Sequence, residues 1–200
     1  MKQITSETPP ISQPSATSAS TDTEVATTPV ELRPPAIEDG PAIHSLISRC
    51  PPLDLNSPYA YLLLCRHFPE TCVVAAGEGG IDGFVSAYIP PAQPDTLFIW
   101  QVAVDARRRG QGLGLRMLQS LLERPALKHV AFIEATVGPG NQASRAMFAA
   151  WARRLDAPLN ESPLFAASLF GAGHEEECLL RLGPRPFVPK KARPFCDLEP

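Results

Sequence analysis

The stretch "VDARRRGQGLGLRMLQSLL", Val104–Leu122, decides how the rest of the chain is read. Arginines at 107, 108 and 109 run into glycines at 110, 112 and 114, which then give way to leucine and methionine. Before it lies "TLFIWQVAVD", a strand too apolar to be exposed on both faces, and after the glycines Leu115, Leu118 and Leu122 recur at helical spacing. A strand passing through Gly-x-Gly-x-Gly into a helix has a physical use. The helix N-terminus leaves backbone N–H groups unpaired, and the macrodipole adds partial positive charge there. Glycines let the backbone curl so that those groups converge on an anion, and arginines add charge beside them. The pattern is an anion cradle suited to phosphate, although a plain glycine-rich turn at a strand end has the same composition.

Two phosphate loops are excluded by spacing. The dinucleotide fingerprint G-x-G-x-x-G would need glycine at 115 after 110 and 112, and Leu115 stands there. A Walker loop would need Gly-Lys-Ser/Thr, which the chain lacks.

Composition sets the frame. Two hundred residues, 44% hydrophobic and 20% charged, suit one domain of ordinary size with flexible ends. No run approaches the roughly 18 apolar residues of a membrane span. The start lacks the basic and apolar regions of a secretory signal. The net charge of −3 argues against electrostatic attraction to nucleic acid or an anionic membrane. A soluble cytoplasmic protein is expected. Cysteines 50, 65, 72, 178 and 196 form no C-x-x-C pair, which points to buried thiols in a reducing compartment rather than a disulfide frame or a metal site.

Residues 1–30 hold no aromatic residue and are dense in Ser, Thr and Pro, so disorder is expected. Residues 184–200 read as a Pro-rich basic tail, leaving 31–183 as the folded domain. Within it the pattern gives a short strand and then a helix capped near Asp39, with Ile43, Leu46, Ile47 and Cys50 on one face. A second helix starts with Ser57 as N-cap and Pro58 first. Two strands join at a glycine-rich turn over 77–80. "HVAFIEATV" (129–137) is a buried strand, and 141–155 is a helix with Met147, Trp151 and Leu155 in line and Phe148 beside them. Final strands are expected near "LFAASLF" and "EEECLLRL". The class is mixed α/β, one sheet with helices on its faces.

The spacing that does match the loop is Arg/Gln-x-x-Gly-x-Gly/Ala, here Arg109, Gly112 and Gly114 after an apolar strand. It resembles the acetyl-CoA pyrophosphate loop of the GCN5-related N-acetyltransferases (GNAT). "WQVAVD" stands where that family has its acyl-binding strand, and "GPGNQASRAMF" supplies the Asn-led helix. The resemblance implies the GNAT fold, a mostly antiparallel mixed sheet splayed between two parallel strands with helices on both faces. It also implies acetyl-CoA as co-substrate and no metal. The cofactor-binding residues it implies are Val102, Val104, Arg109, Gly110, Gly112, Gly114, Asn141 and Ser144.

"LDLNSPYAYLLLCRHF", "FIWQVAVD", "GPGNQASRAMF" and "LFGAGHEEECLL" together resemble the diaminobutyrate-acetylating branch of that family, the enzymes of ectoine (compatible solute) biosynthesis and osmoadaptation. The likeness spans about 31–182. It implies acetyl transfer to the 4-amino group of L-2,4-diaminobutyrate in a homodimer with no nucleic-acid or membrane partner. An ammonium taken out of water needs a carboxylate beside it, and Asp54 and a glutamate of the 175–177 run are the candidates, the resemblance favouring Glu177. Trp100, Tyr59 and His174 would wall the acceptor pocket, with cation–π attraction available from the tryptophan. Glu177 or His174 could take the amine proton. One departure stands out: many relatives place a tyrosine on the fourth helix to protonate the leaving thiolate, and Phe148 occupies that position. Rival readings are a GNAT acting on another small diamine or amino acid, and a non-catalytic acyl-CoA sensor. The acidic and aromatic pocket residues weigh against the sensor, which has no need of an acceptor site.

Overall fold

The structure is a computed structural model that describes residues 29–170 and 176–185. The expected disorder of the first residues, most of the expected tail, His174 and Cys196 lie outside the described residues.

The strands are β1 (Glu31–Arg33), β2 (Val73–Gly77), β3 (Gly80–Tyr88), β4 (Thr96–Val104), β5 (Phe132–Val137), β6 (Leu159–Phe165) and β7 (Glu177–Leu182). The helices are α1 (Gly40–Ile47), α2 (Pro58–His67), α3 (Leu113–Glu123) and α4 (Gln142–Arg154). Among the described residues the strands form one sheet in the order β1-β2-β3-β4-β5-β7-β6. Every neighbouring pair is antiparallel except β4 and β5. The mixed sheet with helices on both faces is the expected fold.

Side-chain alternation along the strands divides the core in two. On one face, Cys72, Val74, Phe84 and Ala103 pack with Ile43, Leu46 and Ile47 of α1 and Tyr61 and Leu64 of α2. On the other, Val73, Ala75, Val85, Leu97, Ile133 and Leu180 pack with Met117, Leu118 and Leu121 of α3 and Phe148 and Trp151 of α4. β3, buried from Ile81 to Ala87, is covered on both sides.

Several local expectations shift. Asp39 directly precedes α1, but its carboxylate turns back, accepting from the Ala36 N–H and pairing with Arg33, each at 2.7 Å. The buried face of α3 centres on Met117, Leu118 and Leu121, and Leu115 is only half-buried. The sixth strand begins at Leu159, before the apolar "LFAASLF" that suggested it, and the chain turns at Ala167–Leu169. It is exposed along nearly its whole length and carries Pro163, which an edge strand tolerates because its outer N–H positions need no partner. Arg185, read as part of the tail, is held to the turn before β5: its amide donates to Ala131 O at 2.9 Å and its guanidinium to Leu127 O at 3.1 Å.

Candidate active site

β4 and β5 pair only over Thr96–Ile99 with Phe132–Ala135, and then separate. A register shift opposite Ser86 and Ala87 leaves Trp100 unmatched in β4, so that it turns outward with 44% exposure while Gln101 turns in. Beyond this bulge the Gln101 amide donates to Ser86 Oγ at 3.1 Å and the Asp105 amide to Asp82 O at 2.9 Å, both toward β3. Strand alternation therefore turns the N–H groups of Val102 and Val104 the other way, into the widening gap beside β5.

The loop after β4 closes one end of that gap. Gly110 (φ 74°) and Gly112 (φ 72°) hold left-handed backbone that a side chain would strain. Gly112 is the N-cap of α3 and has no side chain to accept from the first-turn N–H groups, which leaves that helix end for an anion. Gly114 matters for packing instead. A Cβ there would stand 3.0 Å from Met147 Sδ, so its bareness lets α3 approach α4. At the facing end of the gap, Asn141 caps α4 by accepting from the Ser144 amide at 3.1 Å.

The three arginines divide between two roles. Arg108 Nε pairs with Asp82 at 2.9 Å, and Arg107 pairs with Asp105 at 2.9 Å and Asp82 at 3.3 Å. These two neutralise carboxylates that the sheet end buries, rather than standing beside an anion as the loop had suggested. The Arg107 guanidinium and amide hold the Asp105 carboxyl well below its usual range, at about 2. Arg109 is turned to the gap, where its Nε donates to Val104 O at 3.2 Å.

A cleft of about 250 Å³ results, lined by Val102, Val104, Arg109, Asn141, Ser144 and Met147, with the 50–53 segment opposite. Five of the expected cofactor residues share this wall, and the three glycines stand on the loop that leads from Arg109 into α3.

The expected acceptor residues lie outside that wall. Asp54 is exposed between α1 and α2, its carbonyl held by Gln101 Nε2 at 2.7 Å, which brings it next to the Trp100 bulge. Tyr59 is 68% exposed on the first turn of α2, and its neighbour Tyr61 is the tyrosine that faces the core. Glu177 is half-buried at the start of β7, one residue past the Cys178–Val137 pair and so at the end of the sheet where β4 and β5 part.

Phe148 is 3% exposed with its ring 6.3 Å from Trp151, so α4 turns Ala143, Ser144 and Met147 to the cleft instead. Burial pushes the thiols of Cys65 and Cys72 up to about 11 and raises that of Cys178, which suits inert core thiols. Cys50 reaches the cleft wall, and its thiol donates to Val104 O at 3.5 Å. The buried Gln101 and Tyr61 are site residues that motif and spacing did not single out. A glutamine inside the apolar run "FIWQVAV" was the available signal, because a buried amide must find partners.

A glycine loop at a helix N-terminus, facing a gap between two parting parallel strands, is an arrangement suited to the diphosphate and arm of an acyl-CoA. The chain belongs to the acetyltransferase (GNAT) family, whose model matches residues 40–151. Within it the chain is similar to the L-2,4-diaminobutyric acid acetyltransferase of Bordetella parapertussis, 59% identical over 76% of this chain and 83% of that one. It is also similar to the protein of the same name from Halomonas elongata, 45% identical over 78% of this chain and 82% of that one. Among solved structures it matches diaminobutyrate acetyltransferase EctA from Paenibacillus lautus in complex with its substrate L-2,4-diaminobutyric acid and coenzyme A. That match has a TM-score of 0.76 at 43% identity, covering 79% of this chain and 96% of that one.

Proposed function

We propose that this chain transfers the acetyl group of acetyl-CoA to the 4-amino group of L-2,4-diaminobutyrate, giving N4-acetyl-L-2,4-diaminobutyrate and free CoA, as ectoine biosynthesis requires. The observation that carries the reading is the likeness to the Paenibacillus protein, described with that amino acid and coenzyme A bound, over 79% of this chain.

The chemistry follows from the gap. The N–H groups at the N-terminus of α3, with Arg109, would take the diphosphate, and Asn141 and Ser144 would flank the arm of the cofactor. The amine nitrogen attacks the thioester carbon directly, the C–N bond forms, and the N–H groups of Val102 and Val104 stabilise the oxyanion. The C–S bond then breaks and thiolate leaves. With Phe148 in the core, that thiolate departs without a phenol from α4. The amine must first lose its proton. If its pKa is like that of lysine, about 10.4, deprotonation near pH 7.4 costs roughly 4 kcal/mol, which a base or a water chain must offset. Glu177 and His174 are the proposed bases, and Asp54, Tyr59 and Trp100 join them in holding the diamine. Regiospecificity for the 4-amine rests on the likeness alone.

Among the described residues no helix is long and apolar enough to cross a membrane, and no group of three His, Cys, Asp or Glu side chains could hold a metal. We place the enzyme in the cytoplasm as a homodimer, its activity carried by the 31–183 domain. The exposed apolar side chains of Leu164, Phe165, Leu169 and Phe170 around the edge strand β6 support the dimer.

The test is CoA release with acetyl-CoA and L-2,4-diaminobutyrate, with the acetylated nitrogen located by NMR. Turnover to the N4-acetyl product is expected. Tight acetyl-CoA binding without turnover would sink the substrate reading and leave the loop reading standing.

A further inference from the structure

Gln101 is 4% exposed in the middle of an apolar strand, and both polar atoms of its side-chain amide are engaged. Its Nε2 donates to the Asp54 carbonyl at 2.7 Å, and its Oε1 stands 3.5 Å from the Tyr61 hydroxyl. That hydroxyl, on a fully buried side chain, accepts from the Asn56 amide at 3.2 Å. The segment 54–57 has no helix or strand of its own, so two buried side chains pin it, one on the sheet and one on α2. At its other end Gln101 closes the bulge, its amide donating to Ser86 Oγ directly after the outward-turned Trp100. One residue therefore fixes where Asp54 stands relative to Trp100.

We infer that Gln101 is the positioning residue of the acceptor site, setting affinity and chain-length selectivity for the diamine through Asp54 and Trp100, with Tyr61 as its support. The inference rests on the acetyl-transfer reading above. It predicts an asymmetry, because Gln101 turns both its amides away from the gap that would receive the acyl donor: its side chain goes to the 54–57 segment and its backbone N–H to β3. Loss of its side-chain donor should loosen the acceptor and spare the donor.

The test uses the full chain with Gln101→Met, which keeps length and shape but cannot donate, and Tyr61→Phe, which removes the hydroxyl that holds Asn56. Steady-state kinetics with L-2,4-diaminobutyrate, ornithine and 2,3-diaminopropionate are compared with the Kd for CoA by calorimetry. Gln101→Met should raise the KM for diaminobutyrate about tenfold, the effect of one lost hydrogen bond, and narrow its preference over the shorter and longer diamines. The Kd for CoA should stay within about twofold. Tyr61→Phe should move the acceptor KM the same way by a smaller factor, and it decides the matter if Gln101→Met does not fold. A parallel rise in acceptor KM and CoA Kd, or a folded variant with unchanged acceptor KM and selectivity, overturns the positioning role. A wild-type chain that binds CoA yet acetylates no diaminobutyrate overturns the parent reading instead, and the acceptor site with it.

Discussion

At the scale of the residue, three adjacent arginines that look alike in sequence have unlike roles. Arg108 and Arg107 are engaged by Asp82 and Asp105, and Arg109 faces the cleft. Arg109→Ala should therefore weaken CoA about ten- to hundredfold, the value of a charge-assisted hydrogen bond, with little change in melting temperature. Arg108→Ala should do the reverse, lowering the melting temperature by leaving Asp82, which is 3% exposed, with only the longer Arg107 contact, while acetyl-CoA binding falls much less. Calorimetry and thermal melts on both variants separate the two roles. Asp105 adds a pH dependence. Its folded-state pKa of about 2 lies below the ordinary 3.8, so its contribution to stability is complete above about pH 4 and is lost as pH falls through 2. Asp39, held down by Arg33, acts in the same direction. Melting temperature should fall over that acid window, and Asp105→Asn should flatten part of the fall.

At the scale of the element, what sequence discloses depends on how local the cause is. Gly110 and Gly112 at positive φ and the Asn141 cap are dictated by a few neighbouring backbone atoms, and all are legible in the chain itself. The same holds for α2, whose first residue is Pro58 as expected. β6 is not legible in this way, because "LNESPLF" is polar and holds Pro163 and is a strand only through its pairing with β7. The period of α3 points its core face toward Leu115, yet what α3 meets is the sheet and α4, which its own period cannot disclose. The site divides likewise. The cofactor residues cluster near one loop and two helix starts, whereas the Gln101–Asp54 contact joins segments 47 residues apart. Gly114 shows an element-level constraint hidden inside a motif, since it serves the closeness of α3 and α4 as well as the loop. Gly114→Val should cost about 1–3 kcal/mol by overpacking against Met147, measured by urea unfolding, and should weaken acetyl-CoA binding at the same time.

At the scale of the whole molecule, the edge of the sheet at β6 lacks the cover that helices give the centre. Strand Pro163 and charged Glu161, paired with Arg145, blunt it, yet Leu164 and Phe165 stay exposed beside Leu169 and Phe170. If this edge is the dimer face, Phe165→Glu should yield a monomer by light scattering, with its far-UV circular dichroism unchanged. The parting of β4 from β5 has another kind of consequence, one written in time. Amides bonded across the sheet, such as that of Asp105 to Asp82, trade their hydrogen for deuterium only when the sheet opens. Those of Val102 and Val104 face the gap, so they should exchange quickly in the free protein and slow sharply once acetyl-CoA fills it, while Asp105 changes little. The unfinished seam would then act as a built-in clock for occupancy, read one backbone hydrogen at a time.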